Sequence, residues 1–266
     1  MHQGALQPLT EAAIVEGLHR LGLEEGTAVV AHVSLPALGL IAGGAGAVAA
    51  ALLAAVGPRG TLMVPTPTSS AAITDRWYAQ PFEPDETPAD PEVGPVPEVL
   101  RRRPEALRSH HPLMSVAAIG PLASELTSEH PMNEPMRPFQ RLAELGGWVL
   151  LLGVDQTANM TVHVAESLAE VPYLSGPVSA VMRTPMGMRR RRMEASFGCS
   201  DGFNRLEPLL AANQGRIGPA PAWLCRGREI IVTALTLLDR DPIALTCERP
   251  TCTQCSRARL IARRRH

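Results

Sequence analysis

The sequence predicts a layered α/β fold. Over the first 65 residues, apolar positions at helical spacing alternate with short β-branched runs. A continuous apolar run then lies between glycines at 148–154, and helical spacing resumes just beyond it. A chain of 266 residues, 45% hydrophobic and 19% charged, is long enough to bury its own core, and a single domain over 1–266 is expected.

Each element has a local reason. Ile14, Val15, Leu18 and Leu21 share one helical face, with Thr10 placed to cap the helix and Gly22 to close it. Residues 27–33 read as a buried strand, 47–56 as a small-residue helix stopped by Gly57-Pro58, and 61–65 as a second strand. Residues 66–97 are rich in proline and acid with little periodicity, which marks a long functional loop between ordered segments. A helix is expected over 96–103, a strand over 115–119 and a helix over 121–130. Another helix should end at Gly146-Gly147. The run 148–154 carries the strongest strand signal, 155–159 is a polar loop, and 161–169 is helical. The arginines at 189–192 fit a solvated turn or strand edge. Residues 203–212 are amphipathic, Ile217-Gly218 is a turn, and 229–238 mixes strand and helix signals. The tail at 257–266, with its five arginines, reads as a fraying helix.

Composition excludes several functions. All 25 basic residues are arginine, so Schiff-base chemistry and a phosphate-loop lysine are ruled out. A formal net charge of −1 and 3% aromatic residues argue against nucleic acid as a partner. The start, Met1-His2-Gln3-Gly4, lacks a basic segment followed by an apolar run. The longest uncharged apolar stretch, 45–56, is short of the roughly 20 residues a span needs. A cytoplasmic protein with no membrane partner is expected, as a monomer or homodimer.

His163 and Glu166 are the best candidates for chemistry. Three residues apart on one helix face, the carboxylate can hold the imidazole in one tautomer while the other nitrogen serves as base. The same spacing also occurs in ordinary surface pairs; the position beyond a buried strand is what favours function. His32 and Ser34 precede a glycine-rich loop that leads into a helix, an arrangement suited to phosphate or a carbonyl oxygen, although the spacing matches neither nucleotide fingerprint. His110 and His111 are adjacent, so they point apart on any regular element and cannot share a metal. Five cysteines are too few for a disulfide framework. Cys247, Cys252 and Cys255 cluster near the end, and Cys199, Cys225 or His266 could complete a zinc tetrahedron with them. Half of the usual pattern is missing, however, so these are read as plain thiols in a Cys/Arg-rich tail (247–266) and no metal is expected.

Taken in order, several segments resemble the antibiotic N-acetyltransferase family, whose named members are the aminoglycoside 3-N-acetyltransferases. They are His32-Val33-Ser34-Leu35 with Gly39 and Gly43-Gly44, then Gly57 to Thr66, then Phe82-Glu83-Pro84 with Gly94. Arg108-Ser109-His110-His111-Pro112 with Ser115 follows, then Leu150 to Val154, then Asn159-Met160-Thr161 with His163-Val164-Ala165-Glu166, and Ile217-Gly218. They run in the family's order across roughly residues 10–245, so the resemblance extends over most of the chain. The resemblance implies an α/β/α sheet distinct from the common GNAT acetyltransferases. It also implies acetyl-CoA as co-substrate, and acetylation of the 3-amino group of 2-deoxystreptamine aminoglycosides, giving antibiotic resistance.

In that family His163 would be the general base and Glu166 its orienting carboxylate. His32, Ser34, Leu35, Thr66, Ser109 and Ser115 would line the cofactor, and Glu83 and Asp155 would meet a small cationic amine. The sequence departs from the family pattern at Val33, Pro36 and Ala37, where a hydroxyl and an arginine near the cofactor are gone, and at Arg137, a cation where a polycationic acceptor would prefer none. The acids Asp75, Glu83, Asp85, Glu86, Asp90 and Glu92 face a single arginine, Arg76, in the proline-rich loop. That balance suits electrostatic steering of ammonium groups if the loop walls the acceptor site. Alternatives are an acyltransferase for a different small amine, or a CoA-binding relative without aminoglycoside turnover.

Overall fold

A seven-stranded sheet separates two apolar layers in the computed structural model, which describes residues 7–69, 81–171, 173–174, 178–193 and 199–263. In chain order the first half comprises α1 (Glu11–Leu21), β1 (Ala28–Val33), α2 (Gly44–Val56), β2 (Thr61–Pro65), α3 (Pro95–Arg101), β3 (Leu107–Arg108), β4 (Val116–Ile119), α4 (Ala123–Ser128) and α5 (Arg137–Glu144). The second half comprises β5 (Trp148–Leu152), α6 (Val162–Leu168), β6 (Val178–Thr184), β7 (Gly187–Met193), β8 (Asn213–Ile217), β9 (Ala220–Arg226), α7 (Gly227–Arg240) and α8 (Thr253–Arg263).

The strand order is β3-β4-β2-β1-β5-β9-β8. β1 pairs in parallel with both β2 and β5, while β4 and β9 run antiparallel to their neighbours. Successive strand residues point to opposite faces, and the packing follows that period. Val29, Ala31, Leu62, Val64, Leu150 and Leu152 pack against α1, α2 and α3. Val30, Met63, Val149 and Leu151 pack against α4, α5, α6 and α7. The α/β/α layering expected from the sequence is therefore present, and β5 is buried on both faces because it lies inside it.

Local signals set most boundaries. Thr10 Oγ1 accepts the Ala13 N–H at 3.2 Å and starts α1. α2 begins at Gly44, earlier than expected from its apolar run. Residues 200–209 are a 3-10 stretch, Ser200–Leu209, with Pro208 inside it, and proline cannot supply the N–H that a regular helix needs there. The ambiguous region 229–238 lies within the helix α7.

The β8–β9 hairpin was not foreseen as a pair of strands. Its two-residue loop pairs Ile217 with Ala220 across Gly218, whose φ of 57° suits glycine. β6 and β7 form a separate two-stranded sheet, with Arg189 to Arg192 exposed along β7 as a strand edge. Phe82 straps the proline-rich loop to this hairpin. Its N–H donates to the Val181 carbonyl at 2.9 Å, and its carbonyl accepts the Arg183 N–H at 3.1 Å. Asp75, Arg76 and His266 lie outside the described residues. Among the described residues, no helix is long and apolar enough to cross a membrane.

Candidate active site

The parallel strands β1, β2 and β5 end at one edge of the sheet, the place where open α/β sheets gather functional groups. The Ser34 N–H donates to the Leu152 carbonyl at 2.9 Å, and the Gly153 N–H donates to the Pro221 carbonyl at 2.7 Å. Gly153 has a φ of 71°, and a Cβ there would stand 2.6 Å from that of Ala37. Only glycine lets the loop after β5 close on the loop after β1. Asp155 then caps a 3-10 turn, Gln156–Ala158, through the Thr157 N–H at 3.0 Å. Asn159 donates to Gln156 Oε1 at 2.8 Å and accepts the Thr161 N–H at 3.1 Å. These side-chain bonds launch α6 directly beyond β5.

α6 brings together the two residues that the sequence singled out. His163 Nδ1 donates to Glu166 Oε2 at 2.6 Å, and the other oxygen, Oε1, accepts the Tyr173 hydroxyl hydrogen at 2.8 Å. Glu166 is only 1% exposed, so both of its oxygens find their partners inside the protein. Phe203 meets the imidazole edge-on, with ring centroids 4.9 Å apart and planes at 67°. A carboxylate that takes Nδ1–H fixes the tautomer in which Nε2 bears the lone pair, the form a general base requires. The 3-10 stretch that carries Phe203 also carries Asn204, which donates to Asp155 Oδ2 at 2.9 Å. Burial pushes the Asp155 carboxyl up, but the hydrogen bonds from Thr157 and Asn204 more than offset this and hold it below its usual range.

A cleft of about 180 Å³ opens at the same edge, lined by His32, Pro65, Glu92, Val154 and Met160 among others. Burial lowers the pKa of His32 to about 4, and its Nε2 has no hydrogen-bond partner among the described residues. Ser34 and Leu35, half-buried, lead from it into the 3-10 turn Pro36–Leu38. Pro36 stands at the first turn of that element, where a missing N–H costs nothing.

Thr66, Ser109 and Ser115 are buried, and their hydroxyls serve internal partners. Ser115 Oγ donates to the Thr66 carbonyl at 2.6 Å. Arg108 donates from Nε to Thr66 Oγ1 at 3.1 Å and to Ser115 Oγ at 3.0 Å. Its other nitrogens reach the carbonyls of Pro84, Thr66 and Thr87. Desolvation lowers the Arg108 pKa to about 10, still far above neutrality. Ser109 Oγ accepts the Val116 N–H at 2.9 Å and lies 2.9 Å from His130 Nδ1. The antiparallel β2–β4 pairing causes this arrangement. It sets Thr66 against Ser115, with the Thr66 N–H donating to the Ser115 carbonyl at 2.8 Å, and turns both side chains toward Arg108.

The adjacent histidines separate as their spacing demands. His110 is exposed, while His111 is buried and stacks on His130 at 4.6 Å. Glu83 receives the guanidinium of Arg183 on β6 at 2.5 Å, so the hairpin brings a second cation to the acidic loop besides its own Arg76. Arg137 pairs with Glu144 at 2.9 Å within α5, which removes the objection of an unneutralised cation. A larger hollow, about 550 Å³, lies at the opposite edge by Ala28 and Trp148, where the parallel strands begin. Glu24, Glu25 and Arg226 line it, and neither His163 nor Glu166 is among its lining residues. Arg108, Tyr173 and Phe203 hold the site together; Arg108 lies in one of the segments singled out in the sequence, whereas no motif marked Tyr173 or Phe203.

The chain is similar to several known proteins. The family model described as aminoglycoside 3-N-acetyltransferase matches residues 30–239. The aminoglycoside N(3)-acetyltransferase IX of Micromonospora chalcea is 40% identical over 255 residues, covering 84% of this chain and 90% of its own. The aminoglycoside acetyltransferase AAC(3)-IVa, solved as the apoenzyme, superposes with a TM-score of 0.85 at 32% identity, over 97% of this chain and all of that one. A mutant of AAC(3)-IVa solved with a gentamicin gives 0.84, at the same identity and coverage. AAC-IIIb, solved with CoASH, gives 0.78 at 27% identity, over 88% and 97% of the two chains.

Proposed function

The chain belongs to the aminoglycoside 3-N-acetyltransferase family, and from that premise we propose that it acetylates the 3-amino group of a 2-deoxystreptamine aminoglycoside, with His163 as general base. The observation that carries the reading is the buried contact of His163 Nδ1 with Glu166 Oε2 at 2.6 Å. An ammonium group must lose a proton before its nitrogen can attack a carbonyl, and a base held in one tautomer supplies that step. His163 takes the proton at Nε2. Glu166 stabilises the charge that develops on the ring and is itself held by Tyr173.

Acetyl-CoA, when bound, supplies an acetyl group activated as a thioester. The cleft beside His32 is smaller than the roughly 300 Å³ of a drug-sized pocket, which suits a slender chain better than a trisaccharide. We assign it to the pantetheine arm, with His32 in its lining and Ser34 and Leu35 next along the chain. Thr66 and Ser115 support the wall of the reaction centre through Arg108, and Ser109 supports it through His130. Glu83 and Asp155 are the acceptor carboxylates, and transfer is direct, with no covalent enzyme intermediate. The whole chain acts as one catalytic unit.

The test is thiol release from acetyl-CoA across gentamicin, apramycin and simple monoamines, with the acetylated position fixed by NMR. Turnover of the aminoglycosides with acetylation at N3 is expected. Turnover of monoamines alone would replace the acceptor class, and CoA binding without turnover of any amine would leave a binding protein.

A further inference from the structure

The C-terminal region brings together four thiols that the proposed chemistry does not use. The sulfurs of Cys199, Cys247, Cys252 and Cys255 all lie within 4.8 Å of one another. All five cysteines of the chain are free, and the fifth, Cys225, is on β9 and is not part of this group. We propose that Cys199, Cys247, Cys252 and Cys255 form a closed tetrathiolate site for one structural zinc ion.

The geometry fits that ion. Zinc–sulfur bonds of about 2.3 Å in a tetrahedron put the sulfurs about 3.8 Å apart, so small side-chain rotations close the group. Four sulfurs fill every position of a tetrahedral ion, as in structural rather than catalytic sites, and two of them, Cys247 and Cys255, are buried. The surroundings suit a tetrathiolate of net charge −2. The Cys247 N–H donates to Cys255 Sγ at 3.3 Å, and Arg259 donates to the Cys247 carbonyl at 2.5 Å. Cys199 Sγ donates to Asp201 Oδ2 at 3.1 Å, a thiol proton that metal binding would release, and Arg249 already pairs with that carboxylate. The sequence left the fourth position open among Cys199, Cys225 and His266, because no local spacing fixes a residue so far from the other three; the sulfur that lies beside them is that of Cys199.

The site would tie distant parts of the chain together. Cys199 immediately precedes the 3-10 stretch Ser200–Leu209, which presents Phe203 to His163 and Asn204 to Asp155. Cys255 is on α8, and Cys247 and Cys252 lie in the segment before it. A zinc ion would thus fasten the C-terminal helix to the wall of the active site.

The experiment is elemental analysis of the full chain, expressed in zinc-supplemented medium and purified without chelator, alongside Cys252→Ser and Cys225→Ser. One zinc per chain is expected in the unaltered protein and in Cys225→Ser, with loss from Cys252→Ser. A second measurement covers the case in which the Cys252 variant fails to fold: Co²⁺ added to the reduced, demetallated protein should give thiolate charge-transfer bands and intense tetrahedral d–d bands. Zinc well below one equivalent together with no cobalt–thiolate bands would overturn the proposal. So would equal zinc retention by a folded Cys252→Ser, or a disulfide among these four cysteines in the purified protein.

Discussion

The Tyr173 hydroxyl donates to Glu166 Oε1 at 2.8 Å, on the far side of the carboxylate from His163. Burial and the adjacent Glu166 carboxylate push the Tyr173 phenol up, so it remains a donor throughout the working pH range. Glu166 thus takes two donors at once, and a glutamine would confront one of them with an N–H. Glu166→Gln should lower kcat about 10²-fold with little change in KM for acetyl-CoA. Tyr173→Phe should lower it only a few-fold and cost about 1 kcal/mol of stability. Steady-state kinetics and urea unfolding read both. Equal activity of Glu166→Gln and the unaltered enzyme would remove the carboxylate from the mechanism.

Three buried histidines make stability depend on pH. Burial lowers His32 and His111 to about 4, and burial with the neighbouring His111 charge lowers His130 to about 3. In the unfolded chain each titrates near 6.5, so below that pH the unfolded state binds protons that the folded state refuses. Their neutral forms therefore favour folding fully above about pH 6.5, and the advantage is lost as pH falls toward 4. Each histidine contributes up to about 1.4 kcal/mol per pH unit in this window. Urea midpoints should fall steadily from pH 7 to pH 5, less steeply in His130→Gln; flat midpoints would contradict the burial of these rings.

Arg108 is the hub beneath the site. Its guanidinium reaches two hydroxyls and three carbonyls while lying over the Phe82 ring at 5.1 Å. An ammonium group cannot reproduce that planar fork, so Arg108→Lys leaves buried acceptors without donors. A loss of about 3 kcal/mol or more is expected in chemical unfolding. A loss under about 1 kcal/mol would show that the network is dispensable.

Arg183 pairs with Glu83, the carboxylate proposed to meet the acceptor. Removing it in Arg183→Ala frees Glu83 for an ammonium group. KM for gentamicin should fall by at most about fivefold, because exposed ion pairs are worth little, and its dependence on salt should steepen. An unchanged KM at low salt would place Glu83 away from the acceptor.

The sequence made some features plain and concealed others for physical reasons. β1, β2 and β5 were legible because burial on both faces demands unbroken apolar runs. His163 and Glu166 were legible because helical spacing alone places them together. β9 was not, although it pairs with β5 along its length. Pro221 and the small residues Ala220 and Ala222 blur its alternation, and its strand character comes from its neighbours. The roles of Arg108 and Phe203 depend on chain segments tens of residues away, and Tyr173 reaches Glu166 from seven residues beyond it, past the end of α6, which no local pattern encodes. The hydroxyls of Thr66, Ser109 and Ser115 had the right positions along the chain, but their partners became visible only when β4 folded back on β2.

The most direct test is thiol release from acetyl-CoA with gentamicin by His163→Ala, compared with the unaltered enzyme at equal CD and thermal stability. A drop in kcat of about 10² or more, with CoA binding retained, is the result expected of a general base. Transfer surviving within about tenfold would contradict the assignment of His163 as that base.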